Sequence, residues 1–554
     1  MLPNVKMTLH STGYLYYSGA SGGFGITSAK VEDSVTLQLD GYKVCTFLIK
    51  STKENNFVLP LLVKKASQPE KRLMSITRDL KPADLARFSV GGETYSSLRE
   101  NDYMDAGKFP TIDFAVNTDK ASYSNIRRFL NMGSTVPPDA VRIEEMLNYF
   151  TLEHETPAPG EDFHISTNLS ECPWRPANQL FYVKISAKKL DFTQIPPSNL
   201  VFLIDVSGSM DMPNRLPLLK SAFKLMVDNL RPIDTISIVV YGGTVGVWLQ
   251  PTSGGDKEKI HKSIEELSPG GSTAGESGIL AAYKLAESTY IPNGNNRVVL
   301  ATDGDFNVGQ TSEEALERMI VTQRQKGIYL TCLGVGMGNY KDSKLEVLAK
   351  KGNGNFAYLD NEKEAEKVLV KELTQTMYSV ADDALLHVSF FPENVKNYRL
   401  IGFDNKFSAL SAEGEGMLEG GEVGTGHTLM AIFELTPVEK YDSSASLATI
   451  ELSYKLPKDS VQHKMSKLIK DSHIHSFQTL PDTYRMAAGI SLFGSVLKES
   501  RFVKPANLQD VLTIIQPIAK TDNLLQQELI GMVEKAKKIY YKGKASKLKA
   551  NLFW

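Results

Sequence analysis

Two kinds of hydrophobic pattern divide this chain. The apolar runs at 201–204 and 298–301 lack the alternation of a half-exposed strand, so they suit central parallel strands covered by helices on both faces. Residues 236–241 and 329–335 read as further strands, and amphipathic stretches near 213–230, 276–290 and 312–326 separate them. Strands alternating with helices predict a doubly wound α/β sheet, with few topologies left once right-handed crossovers are required.

Outside that region the pattern turns to strands of antiparallel character. Residues 386–390, 429–435 and 447–454 read as strands, and so do 163–169 and 180–188 on the other side of the α/β segment. The second pair is marginal in water if left alone. It is expected to join the 385–455 strands in one β-sandwich, with the α/β domain inserted between them. Helices are predicted over 122–131, over 139–149 with Asp139 as cap, and over 482–499 and 507–538. The expected divisions are 1–65 (a strand-rich module), 66–110 (a charged, turn-forming linker), 111–197 (helices plus strands), 198–375 (the α/β domain) and 380–554 (strands, then helices).

Composition narrows the functional classes. With 554 residues and 42% apolar content the chain has material for several cores. Sixty-two basic against 64 acidic residues, a net charge of -2, give no global electrostatic case for nucleic acid. No apolar stretch approaches the ~18 residues of a transmembrane span, and the first six residues lack the charged and apolar regions of a signal peptide. Cys45, Cys172 and Cys332 lie too far apart for a disulfide framework.

The chemistry concentrates where the first buried strand stops. Val201-Phe202-Leu203-Ile204 runs into Asp205-Val206-Ser207-Gly208-Ser209, which brings a carboxylate and two hydroxyls to the carboxyl end of a parallel strand, where ligands of such sheets collect. Oxygen donors without Cys or His suit a hard cation, Mg²⁺ or Mn²⁺, rather than Zn²⁺. The bland alternative is a helix start with Ser209 as its cap. Two later segments favour the metal. Gly270–Gly278 is a flexible loop containing Thr273, followed by a helix whose amides would face the site, and Arg297–Thr302 is a second buried strand ending at Asp303.

In this order the three segments resemble the von Willebrand factor A family and its metal-ion-dependent adhesion site. The resemblance implies Asp205, Ser207, Ser209, Thr273 and Asp303 as the metal set, Mg²⁺ (or Mn²⁺/Ca²⁺) as the ion, and no catalytic residues. If the direct ligands are neutral hydroxyls, the cation keeps an open position that attracts an Asp or Glu from a partner protein. A second resemblance is more specific. Asp119-Lys120-Ala121-Ser122-Tyr123 and Pro137-Pro138-Asp139-Ala140-Val141-Arg142-Ile143-Glu144-Glu145 look like the N-terminal region of bacterial YfbK-type von Willebrand A proteins. Asn117-Thr118-Asp119-Lys120-Ala121 departs from that family's usual Asp-Val-Asp-Thr-Ala at Asn117, Thr118 and Lys120. Tyr398–Asn405, Gly421–Thr428 and Arg485–Gly494 are similar to its C-terminal region. Residues 1–65, with Gly23-Phe24-Gly25-Ile26 and Asp40-Gly41-Tyr42, resemble the small β-sandwich of carboxypeptidase-regulatory-like domains, which implies a cell-envelope or extracellular setting.

Other motifs carry less. Asp303-x-Asp305-x-Asn307-x-Gly309 with Glu314 nearly matches a calcium loop, but Val308 stands where the turn demands Gly, and a strand precedes it. Gly19-Ala20-Ser21-Gly22-Gly23 mimics a nucleophile elbow without a following helix and reads as a hairpin turn. His473 and His475 share a strand face without an evident third ligand, and His427 sits in a Gly-rich setting. Arg127, Arg128, Arg142, Glu144 and Glu145 read as an inter-helix, solvated ion network. Lys535 to Lys549 form a basic, solvated end. The expectation is a non-enzymatic adhesion protein. The alternative is a hydrolase polarising its substrate with the same ion, and it lacks an obvious base, since Glu276 reads as first-turn helix charge.

Overall fold

The computed structural model describes residues 2–550 except 20, 29, 40, 41, 51–54, 60–94, 96, 117, 118, 151, 191–194, 272–274, 305–312, 337–341, 373–377, 405, 406, 410–419, 443, 458, 460, 471 and 472. Thr273, Asp305, Asn307, Val308, Gly309, Asn117, Thr118, Asp40, Gly41 and most of the expected linker therefore lie outside the described residues.

At the N-terminus, β1 (Lys6–Leu9), β2 (Leu15–Tyr17), β3 (Glu32–Gln38) and β4 (Cys45–Lys50) form an antiparallel sheet in the order β2-β1-β3-β4. Alternation decides its inner face: Met7, Leu9, Val35 and Leu37 are buried, with Ile49 against them. Between β2 and β3 the Gly19 amide donates to the Gly23 carbonyl in a turn, but β1 lies between those two strands in the sheet, so the turn does not close the expected hairpin.

A larger body follows. It opens with β5 (Met104–Asp105), β6 (Thr111–Ala115), α1 (Ala121–Asn131), α2 (Ile143–Tyr149), β7 (Phe163–Glu171) and β8 (Gln179–Ala187). The chain then enters the α/β domain: β9 (Ser198–Asp205), α3 (Leu216–Asp228), β10 (Thr235–Gly242), β11 (Thr244–Ser253), α4 (Lys257–Glu265), α5 (Gly275–Ser288), β12 (Asn295–Thr302), α6 (Glu313–Gln325), β13 (Ile328–Val335), α7 (Asp342–Lys351), β14 (Phe356–Leu359) and α8 (Glu362–Glu366). It returns through β15 (Ser379–Phe390), β16 (Val395–Ile401), β17 (Phe407–Ala409), β18 (Gly421–Gly424), β19 (Thr428–Pro437), β20 (Ala448–Lys455) and β21 (Gln462–Ile469). Three helices follow, α9 (Asp482–Leu497), α10 (Leu508–Ile515) and α11 (Leu524–Ala550).

The α/β sheet runs β11-β10-β9-β12-β13-β14, parallel except for edge strand β11. Its unbroken apolar runs are explained by two cores. Phe202 and Ile204 of β9 face α3, with Phe202 stacked on Phe223 at 4.5 Å, while Val201 and Leu203 face Ile279 of α5. Because the connections leave β9 toward β10 on one side and reach β12 on the other, the order reverses beside β9. Such a reversal opens a crevice at the strand ends, and Asp205 and Asp303 emerge there.

The sandwich that the orphan strands demanded is present. One sheet runs β17-β6-β15-β20-β21 with β18 on β15, and the other runs β5-β16-β19-β8-β7. Strand β8 pairs with β19 from Gln179 opposite Leu435 to Ser186 opposite Thr428, so the α/β domain is inserted between paired strands. Every residue of β8 is buried, because Phe181, Val183 and Ile185 face the other sheet while Leu180 and Tyr182 face a helical layer of α1, α2, α9, α10 and α11.

Several expectations are corrected. The predicted helix over 139–149 is a 3₁₀ turn at Pro138–Ala140 followed by α2. Asp139 caps nothing there and instead accepts from the Leu98 amide at 3.0 Å. The predicted helix over 507–538 divides at Pro517, which cannot donate to a continuing helix, and Asn507 with Asp510 forms a capping box at the start of α10. Strands β11 and β14, one at each sheet edge, are additions to the sequence reading.

Candidate metal centre

The backbone brings three segments together at the carboxyl end of β9. The Val206 amide donates to the Tyr241 carbonyl at 2.8 Å, the Gly270 amide to the Val206 carbonyl at 2.7 Å, and the Gly208 amide to the Gly271 carbonyl at 3.1 Å. Glycine is required at the contact: a Cβ on Gly242 would lie 2.6 Å from the Val206 carbonyl carbon. Ser209 lies in a 3₁₀ turn, Gly208–Asp211, and α3 begins only at Leu216, so the serine is not the cap of that helix.

The side chains form a cluster of oxygens. The Asp205 carboxylate is fully buried and accepts from the Ser207 amide at 2.8 Å and the Thr302 hydroxyl at 3.0 Å. Burial, together with the nearby Asp303 carboxylate, pushes its pKa up to about 6 despite the Ser207 bonds that oppose the shift. Asp303 is buried too, and Arg215 Nη1 donates to its Oδ2 at 2.5 Å and to the Ser209 carbonyl at 2.8 Å. Ser207 Oγ and exposed Ser209 Oγ lie 3.1 Å apart. Neighbouring ligands on an octahedral Mg²⁺ at ~2.1 Å stand ~3.0 Å apart, so the two hydroxyls already have that spacing. The residues present therefore fit a hard cation: two hydroxyls for direct ligation, and carboxylates whose oxygens are occupied in ways suited to outer positions. Of the five expected site residues the structure brings together Asp205, Ser207, Ser209 and Asp303. Sequence reasoning missed Arg215 and Thr302; the hydroxyl immediately before Asp303 was the available signal for the second.

The other sequence candidates are elsewhere. His473 and His475 lie beyond β21, outside any named strand, with rings 5.0 Å apart at 87°, in a cavity shared with Lys467 and Lys470. His427 is buried, and burial holds its pKa well below the ordinary imidazole value. Glu276 falls in the first turn of α5. The ion network is not solvated, because Arg127, Arg128, Arg142, Glu144 and Glu145 are all buried. Arg127 donates to Asp360 at 2.8 Å, Tyr149 at 2.8 Å, Glu528 at 2.9 Å and Glu364 at 2.7 Å, joining α1 to the end of the α/β domain and to α11. Carboxylate oxygens of Asp119, Glu145 and Glu346 come within 4.8 Å of one another. Their cation is Arg142, whose Nε lies 2.5 Å from Glu145 and whose Nη1 lies 3.7 Å from Glu346.

Known proteins resemble this chain in sequence. Residues 199–373 match the von Willebrand factor type A domain, 89–182 the family described as von Willebrand factor, and 375–539 that described as Uncharacterized protein YfbK, C-terminal. Uncharacterized protein YfbK of Escherichia coli (strain K12) is 34% identical over 448 residues, spanning 76% of this chain and 77% of that protein. The chain belongs to the YfbK family. This YfbK-type chain is also 30% identical over 148 residues to inter-alpha-trypsin inhibitor heavy chain H2 of Mesocricetus auratus, spanning 25% of this chain and 16% of the relative. A solved von Willebrand factor type A protein from Catenulispora acidiphila aligns with a TM-score of 0.41 at 14% identity, over 67% of this chain and 89% of the other. Domains of this type serve protein interaction or adhesion and commonly hold a divalent metal. Among the described residues no helix is long and apolar enough to cross a membrane.

Proposed function

We propose that the α/β domain of this YfbK-type protein is an adhesion module that captures an acidic side chain of a partner protein through a divalent cation, Mg²⁺ or its substitutes Mn²⁺ and Ca²⁺. The observation that carries this reading is the pair of serine hydroxyls 3.1 Å apart beside two buried carboxylates. Ser207 and Ser209 would ligate directly, with Thr273 joining them. Asp205 and Asp303 would act from outside, Asp205 fixed by the Ser207 amide and the Thr302 hydroxyl. When bound, the ion supplies a positive centre with a position open to a carboxylate. Charge favours that ligand, since neutral hydroxyls leave the cation only partly offset.

The interaction reading is preferred to metal-assisted hydrolysis because the carboxylates around the strand ends are engaged, Asp205 by two donors and Asp303 by Arg215, so neither stands ready as a base. A cell-envelope or extracellular place accords with adhesion, and cell fractionation tests it. The central experiment is capture of partners from envelope extract with and without chelator. Asp205→Ala and Thr273→Ala should abolish Mg²⁺-dependent capture while the fold persists; capture that survives EDTA sinks the proposal.

A further inference from the structure

The guanidinium of Arg215 is the feature of this centre that the hydroxyls and carboxylates do not explain. Its side chain is 8% exposed and it is held in place on both sides. Nη1 donates to the Ser209 carbonyl and to Asp303. Its stem lies against Gly336, at the end of β13, where φ is +86° and a Cβ would stand 2.9 Å from Arg215 Cγ. The Gly336 carbonyl is in turn fixed by the Tyr358 hydroxyl at 2.5 Å. A path has therefore been cleared for a permanent positive charge beside the proposed cation position, although like charges repel there.

We infer that Arg215 is a charge-setting residue of the metal centre: by neutralising Asp303 it lowers cation affinity and leaves the bound ion more positive toward an external acid. This rests on the metal-dependent adhesion reading. Two outer carboxylates with no internal cation would bring the net charge of the centre to zero and, although they do not touch the ion, weaken its pull on a partner's Asp or Glu. With Arg215 in place the same four charges sum to one net positive, so the empty position attracts an anion. The arrangement exchanges tightness for the ion against tightness for the acidic ligand, because the Arg215 charge acts with opposite sign on the two.

Calorimetric titration of the full chain with MgCl₂ tests this, with circular dichroism to confirm folding. Arg215→Gln should bind Mg²⁺ roughly tenfold more tightly than the native protein, as removal of a unit charge several ångströms from a divalent ion implies. Arg215→Lys keeps the charge and should stay within about threefold of native. Native uptake with unchanged or weakened binding in Arg215→Gln overturns the inference, since Arg215 would then be a strut that positions Asp303. Equal tightening in the Gln and Lys variants overturns it as well, because charge would not be the cause. No Mg²⁺ uptake by the native protein overturns the adhesion reading itself, and the inference with it. Should Arg215→Gln fail to fold, native-like affinity in Arg215→Met supports the strut and again overturns the inference, whereas tightening there sustains it.

Discussion

Two buried arginines of this protein do opposite things. Arg127, at the junction of α1, the α/β domain and α11, is surrounded by more acid than it can neutralise, with Asp360, Glu364 and Glu528 on its fork and the Tyr149 hydroxyl among them. Lys367 completes the group by donating to the Tyr149 carbonyl at 3.1 Å, and burial lowers its pKa to about 8. Arg127, Asp360 and Glu364 are buried and only Glu528 reaches the surface, with its side chain 30% exposed, so the cluster is satisfied largely within itself. Arg215 also sits among buried oxygens, yet there the exposed Ser209 hydroxyl and the open strand ends leave the cluster unfinished. Buried charge that closes on itself fixes how pieces of a fold meet, whereas buried charge left open at a surface marks a place for a ligand.

The largest effect should come from breaking the closed cluster. Arg127→Met leaves three carboxylates facing one another across a domain junction, and loss of one partner from a buried ion network costs about 3–5 kcal/mol. Denaturant unfolding should show that loss, and Mg²⁺ should not restore it. Arg215→Met leaves only Asp303 uncompensated, so its loss should be smaller and, on the proposed reading that Mg²⁺ binds the folded state alone, should shrink on adding Mg²⁺. Equal response of the two variants to Mg²⁺ would erase the distinction between junction and site.

A second junction sharpens the comparison through pH. Arg297 of β12 donates to Glu422 of β18 at 3.1 Å, again linking the α/β domain to the sandwich, and burial pushes the Glu422 pKa up to about 7 from an ordinary 4.5. An acid whose folded pKa is raised contributes stability that is complete below the unfolded pKa and is lost as pH rises through the folded value. Native stability relative to Glu422→Gln should therefore fall between pH 4.5 and about 7, by on the order of 3 kcal/mol. Parallel unfolding curves of the two proteins across that window would show that Glu422 does not titrate there.

Why one cluster was legible in the sequence and the other was not follows from sequence distance. Asp205, Ser207 and Ser209 lie within five residues and Asp303 ends a later apolar run, so the rule that ligands gather at parallel strand ends, together with the family resemblance, pointed to them. The sandwich pairing was legible because 163–169 and 180–188 had no other way to be stable. Arg127 was misread as solvated because its partners Asp360 and Glu528 lie 233 and 401 residues away, and no periodicity within α1 reports a face that distant chain covers. Arg215 escaped for a related reason: its contact with Asp303 spans 88 residues and depends on the turn between Gly208 and Leu216, which carries no helical period.

The smallest predicted effect on stability is the one that separates ligand binding from folding most cleanly. Ser209 is exposed, caps no helix, and its hydroxyl meets only Ser207 Oγ among the hydrogen bonds described. Removing that oxygen from a surface turn should change metal-free stability by less than about 0.5 kcal/mol. It nevertheless deletes one of two hydroxyls whose spacing suits a shared cation, so Ser209→Ala should lose the rise in melting temperature that the proposed reading expects Mg²⁺ to give the native protein. Asp205→Ala should lose it too, but with a larger metal-free change, since it also unpairs the Ser207 amide and the Thr302 hydroxyl. If Ser209→Ala keeps its full Mg²⁺-dependent shift, the oxygens at the end of β9 are a well-packed turn and the open cluster is no ligand site.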